Sequence, residues 1–132
     1  MKIYYLLIFI FVFSLSSYAQ DEFTMKSGDT TYVMKKYYMC LLKRGANTDM
    51  DSASRAKIME GHLAHFANLM KQGKICIVGP FDDDQDVRGI IIFNVSSSEE
   101  AEKLESEDPG VKAGRLVMEI RPWWGAKGSM LK

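Results

Sequence analysis

The chain has 132 residues, 47% hydrophobic and 26% charged, with a formal net charge of zero. That length holds one globular domain and leaves no room for two. A neutral balance with no basic stripe and no interleaved aromatics gives no footprint for nucleic acid or an acidic membrane surface, and both are excluded from the reading.

Lys2 is followed by an apolar run from Ile3 to Phe13, then by Ser14, Ser16, Ser17 and Ala19. A positive start, an apolar centre and a small-x-small end describe a secretory signal peptide over residues 1–19, cleaved after Ala19. The competing reading is an uncleaved membrane anchor, but the run is shorter than the ~20 apolar residues that a span needs. No cysteine follows the cleavage point, which argues against a lipid anchor. The expected location is therefore the periplasm or the medium, with no membrane contact after cleavage. Losing the leader removes only Lys2 among charged residues, so the net charge falls from 0 to −1. Export permits disulfides. Cys40 and Cys76 both lie in apolar, strand-like runs. Buried free thiols are the simpler expectation there, and a single disulfide is the alternative.

Residues 20–31 are polar and without period, which predicts a flexible tether ahead of a domain spanning 32–125. The run from Tyr32 to Lys43, rich in aromatic and aliphatic residues, predicts a first strand that stops at Arg44-Gly45-Ala46-Asn47. Asp51 is the N-cap type before a long helical pattern that ends at Gly73. Next comes KICIVGPF, a short strand broken by Gly79-Pro80, then an acidic loop from Asp82 to Asp86. RGIIIFNV is a third strand, and Ser96, Ser97 or Ser98 caps a short helix containing Ala101 and Leu104. Asp108-Pro109-Gly110 ends that helix, RLVMEIRPWW is the last strand, and residues 126–132 are a loose tail.

The order strand, helix, strand, strand, helix, strand describes a ferredoxin-like βαββαβ domain of the α+β class. A four-stranded antiparallel sheet would carry both helices on one face. Strands this apolar would leave the other face as a large exposed patch, so a homodimer is expected to cover it. Trp123 and Trp124 must point to opposite sides of the last strand.

Helical spacing gathers Leu69, His62, Phe66, Met59, Met70 and Leu63 into one arc, with His62 inside the apolar stripe. A buried imidazole needs hydrogen-bond partners, so some group from the sheet or a loop must meet it. The plain reading is a satisfied structural histidine. Arg55, two turns earlier, projects along nearly the same line. His65 lies at the margin of the stripe and forms HxxH with His62. That spacing can hold a metal, with Asp82, Asp83, Asp84 or Asp108 as a third ligand, but without more histidines or paired cysteines no metal is expected. Gly79-Pro80 leaves backbone close to whatever lies above it. No GxSxG, P-loop, GxGxxG or CxxC occurs, so serine-hydrolase, nucleotide and redox-thiol readings have no support, and no cofactor is expected.

HLAHFANLMKQGKICIVGPF from His62 to Phe81, DPGVKAG from Asp108 to Gly114, and PWWG from Pro122 to Gly125 together resemble the YciI-like (YCII-related) family. The resemblance covers the domain from its first strand to Trp124. It implies a ferredoxin-like fold of the dimeric α+β barrel type, a homodimer, and an active site formed by His62 and Asp108. Asp108 would then orient His62, whose other nitrogen moves a proton on a small molecule seated over Gly79, Pro80 and Phe81, with Arg55 and His65 as further substrate contacts. Two departures stand out. Some relatives carry an arginine three residues before the histidine, where this chain has Met59, and many relatives lack a leader. Three functions follow: a lyase- or isomerase-type enzyme acting on an unknown small molecule, a non-catalytic small-molecule binding module, or a structural dimeric domain.

Overall fold

The computed structural model describes residues 21–132, so the expected signal peptide over residues 1–19 lies outside the described residues. The chain runs β1 (Glu22–Ser27), β2 (Thr30–Arg44), α1 (Ser52–Lys71), β3 (Ile75–Pro80), β4 (Val87–Phe93), α2 (Ser98–Glu105), α3 (Pro109–Lys112) and β5 (Leu116–Ala126). All strand pairs are antiparallel. β5 pairs with β2 from Met34 to Arg44, whereas β1 takes Thr30–Lys35 and β4 takes Tyr38–Lys43. Each strand edge can serve one neighbour at a time, so β1 and β4 follow one another along one edge of β2 and β5 holds the other. β3 closes the sheet beyond β4. Setting β1 aside, the order β5-β2-β4-β3 is that of the ferredoxin-like arrangement.

β1 corrects the expected tether over residues 20–31. Glu22–Ser27 forms a hairpin with the start of β2, making the sheet five-stranded rather than four-stranded. Phe23 and Met25 alternate with Thr24 and Lys26, and the two-residue loop Gly28-Asp29 has φ +58° at its glycine, the positive value such a loop needs. The four expected strands, the long helix and the short helix lie within a few residues of the ranges read from the sequence, while Pro109–Lys112, read as part of a turn, forms the short helix α3.

Local chemistry sets the helix ends. Asp51 accepts from Ser54 N at 2.8 Å to start α1, and Gly73 N and Lys74 N donate to Met70 O and Leu69 O to end it. Ser97 caps α2 by accepting from Glu100 N at 3.1 Å.

The core lies between the helices and one sheet face, where Cys40, Leu42, Ile91, Phe93 and Ile75 meet Phe66, Leu69 and Ala101. Ile91 and Phe93 are fully buried, each contributing about 1.5–3 kcal/mol by removal from water. Only Phe66 and Leu69 of the α1 arc are buried; Met59, Leu63 and Met70 remain about half exposed. The sheet meets α1 along a narrow line, so the apolar stripe is wider than the surface that covers it. The opposite sheet face carries Tyr37, Met39, Leu41, Ile90 and Trp123 by strand alternation. Trp123 pairs with Tyr37 and Trp124 with Lys36, so the two indoles stand on opposite faces. Both cysteines are free thiols, and Cys76 is exposed on β3 rather than buried.

Candidate functional site

α1 and α3 bring His62 and Asp108 together. Asp108 is the N-cap of α3, with Pro109 in the first turn, and its carboxylate accepts from Val111 N at 3.3 Å. Two glycines let the helices close up. A Cβ at Gly61 would stand 2.9 Å from Pro109 Cγ. One at Gly110 would stand 2.9 Å from both Asp108 Oδ2 and Leu116 Cδ1. With no side chain at either position, α3 lies against α1 at the level of His62.

His62 Nδ1 sits 2.9 Å from both carboxylate oxygens of Asp108. A carboxylate can only accept, so the proton of this bond is on Nδ1. The Asp108 side chain is fully buried, whereas the His62 side chain is 14% exposed. Phe66, one turn on, packs edge-on against the imidazole with centroids 4.3 Å apart. Nδ1 is engaged and the ring is clamped, which leaves Nε2 as the nitrogen available for chemistry.

The other expected site residues are placed less closely. Arg55 is exposed near the start of α1, seven residues and about 10 Å of helix rise from His62. His65 packs against Phe66 at 6.0 Å, and its Nε2 is buried with no partner among the described residues. Gly79 and Pro80 close β3 against Ile90 and Gly89, and Phe81, 45% exposed, lies just beyond. Among the described residues, no hydrogen bond or ring contact ties these three to the His62–Asp108 pair. Asp83 and Asp84 of the acidic loop hold Arg88 and Arg44. No three His, Cys, Asp or Glu side chains converge among the described residues.

Glu105, passed over in the sequence reading, is fully buried beside Asp108, and among the described residues neither of its carboxylate oxygens has a partner. Burial, and then the Asp108 charge, pushes its carboxyl up to about 8. Fully buried Cys40 on β2 shares this environment; burial above all, then Glu105, pushes its thiol up to about 12. A signal for Glu105 was available, because it stands four residues after Ala101 and one after Leu104, on the side of α2 that faces the sheet.

A model of the YCII-related domain matches residues 36–124. The chain belongs to the YCII-related family. The YCII-related match contains His62, Glu105, Asp108 and Gly110, while β1 and the first six residues of β2 precede it. Among solved structures, the chain is similar to 5-chloro-2-hydroxyhydroquinone dehydrochlorinase from Burkholderia phenoliruptrix, in complex with 2,5-dihydroxybenzoquinone. The two are 26% identical, over 64% of this chain and 92% of that one, with a TM-score of 0.41. So loose a superposition transfers no reaction. No curated protein matches the chain.

Proposed function

We propose that this YCII-related protein is exported and acts as an enzyme on a small molecule, with His62 as general acid/base and Asp108 as its orienting carboxylate. The observation that carries the reading is the 2.9 Å contact of His62 Nδ1 with a fully buried carboxylate, made by an imidazole that still reaches the surface. Such an arrangement fixes one tautomer and makes Nε2 the atom that takes or gives a proton, a contribution of about 10²–10⁴-fold in rate. Proton abstraction followed by elimination or migration, a lyase or isomerase step, needs no more from the protein than a base of this kind and a binding surface. In this reading the leader over residues 1–19 directs export, and cleavage leaves a protein without a membrane segment. A second copy covers the sheet face of Tyr37, Met39, Leu41, Ile90 and Trp123. Arg55 and the Gly79–Phe81 turn reach a bound molecule only from a distance, as outer contacts.

One observation favours the second reading, a binding or structural domain. Two surface hollows among the described residues lie away from the pair. One, of about 560 Å³, is lined by Lys35, Lys36, Tyr38 and Asn94 among others, and the second, of about 300 Å³, by Met70, Cys76 and Ile77 among others. The deciding experiment uses the purified protein with a panel of hydroxylated aromatics and lactones, read for both binding and turnover. For an enzyme, His62→Ala abolishes turnover while binding changes less than tenfold, and Asp108→Asn lowers kcat by about 10²-fold or more. Binding without turnover in the native protein leaves the binding module. Neither, with the fold intact, leaves the structural domain.

A further inference from the structure

The cluster beneath His62 holds two carboxyl groups but only one obvious use for them. Asp108 is engaged on three sides, by both oxygens at His62 and by the Val111 amide. Glu105 is bound to it through the backbone, since Asp108 N donates to Glu105 O at 3.0 Å, and its side chain is equally buried. Among the described residues, neither oxygen of Glu105 meets a hydrogen-bond donor or a cation. An ionised carboxylate in that position would be a bare charge out of water, next to a second negative charge and at the C-terminal end of α2, where the helix dipole opposes it. Two carboxyls so placed do not ionise independently, and burial without partners raises the Glu105 carboxyl.

We propose that Glu105 is a positioning residue for the His62–Asp108 pair: held as the neutral acid, it keeps a single negative charge beneath the imidazole and so keeps His62 free to act as a base. The proposal rests on the reading of His62 as the proton-transfer group. The titratable groups that the packing brings to Glu105 are Asp108, at the start of α3, and Cys40, on β2. Cys40 stays a neutral thiol in the same surroundings and adds no charge. His62, on α1, is reached through Asp108. An ionised Glu105 would put a second negative charge beneath the imidazole and make the imidazolium slower to give up its proton, the opposite of what a base needs. With its carboxyl pushed up to about 8, Glu105 stays neutral through neutral pH.

The experiment is an NMR titration of the purified protein, following the Glu105 carboxyl carbon and the His62 ring together, in the native chain and in Glu105→Gln. The expected result is a carboxyl midpoint well above pH 7 and an inflection in the His62 ring signals at that same pH, lost in Glu105→Gln. A carboxyl that titrates in the ordinary range near pH 4.5 overturns the proposal, and so does an alkaline His62 inflection that survives the substitution. The carboxyl titration needs no variant, so a Glu105→Gln protein that fails to fold does not shelter the idea. None of these readouts depends on turnover. Absence of any substrate would sink the enzyme reading and leave the coupling measurable, whereas an active protein with an uncoupled Glu105 would sink this proposal alone.

Discussion

Glu100 and Glu105 occupy the two ends of one eight-residue helix, and their surroundings push their carboxyl groups in opposite directions. Glu100, in the first turn, accepts from Lys74 Nζ at 2.6 Å, from Ser96 Oγ at 2.7 Å and from Ser96 N at 3.0 Å. The Lys74 bond first, and the Ser96 bonds next, hold its carboxyl down at about 2. Glu105, in the last turn, has no partner among the described residues and is pushed up to about 8. Residue type and helix are the same at both ends. The difference lies in partners and water: donors from neighbouring segments at one end, burial without them at the other. Position along the helix reinforces this, because a carboxylate is favoured at the N-terminal end and disfavoured at the other.

The largest effect should come from removing the titration of Glu105. Unfolded, that carboxyl titrates near 4.5; folded, near 8. Between those values the unfolded chain sheds a proton that the folded protein keeps, so stability falls as pH rises from about 4.5 through about 8. Glu105→Gln should flatten this descent. We expect the two proteins to be close at pH 5 and the variant to be ahead by roughly 2–4 kcal/mol at pH 8.5. Urea unfolding at several pH values measures it. An equal descent in both proteins would mean that Glu105 is already ionised and the contrast between the two ends of α2 is false.

Gly110→Ala tests whether the unpartnered end is held by packing. Helix propensity alone favours alanine by about 1 kcal/mol. The new Cβ, however, would stand 2.9 Å from Asp108 Oδ2 and from Leu116 Cδ1. We expect a net loss of about 2 kcal/mol in thermal or urea unfolding, with the Asp108–His62 contact displaced and the His62 ring signals shifted. A stabilised variant would show that α3 yields easily and that the cluster is loosely built.

At the other end, Glu100→Gln should cost about 1 kcal/mol at pH 7, a modest figure because the group is near the surface and screened. Its folded carboxyl is depressed, so this stability is present above about 4.5 and lost as pH falls through about 2. The native and variant unfolding curves should therefore converge at acid pH. Persistence of the gap at pH 2 would assign it to side-chain packing.

How much of this contrast could be read from the sequence follows from how local each signal is. The bounds of α1 were legible because Asp51 and Gly73 act on their own neighbours. The chain order of strands and helices was legible because each carries its own period. β1 was missed because polar, charged residues outnumber Phe23 and Met25, and only the Gly28-Asp29 loop argued for a hairpin. The pairing of His62 with Asp108 was not legible from spacing, since 46 residues separate them. It entered only through the family resemblance. Glu105 was missed because a glutamate among Glu99, Glu100, Glu102 and Glu107 reads as part of a solvated face. Its place on the Ala101–Leu104 side of α2 was the available signal, and the neighbouring glutamates outweighed it.

The smallest prediction separates the two kinds of partner at Glu100. Lys74 is 37% exposed along its side chain, and an ion pair in that setting is worth about 0.2–1 kcal/mol, less as salt is added. The Ser96 bonds instead satisfy a backbone N–H just before the start of α2, a cap-like contact that water replaces less well. Lys74→Met keeps the aliphatic stem while deleting the charge, so it tests the ion pair with little change in packing. We expect a loss of no more than about 0.5 kcal/mol in dilute buffer, shrinking as salt is raised toward 1 M, and a smaller loss than Glu100→Gln. In that case the capping bonds hold the N-terminal end of α2, and Lys74 only deepens a charge they already stabilise. If Lys74→Met costs as much as Glu100→Gln, the ion pair carries that end of the helix, and the missing counterpart at Glu105 is a cation rather than a hydrogen-bond donor.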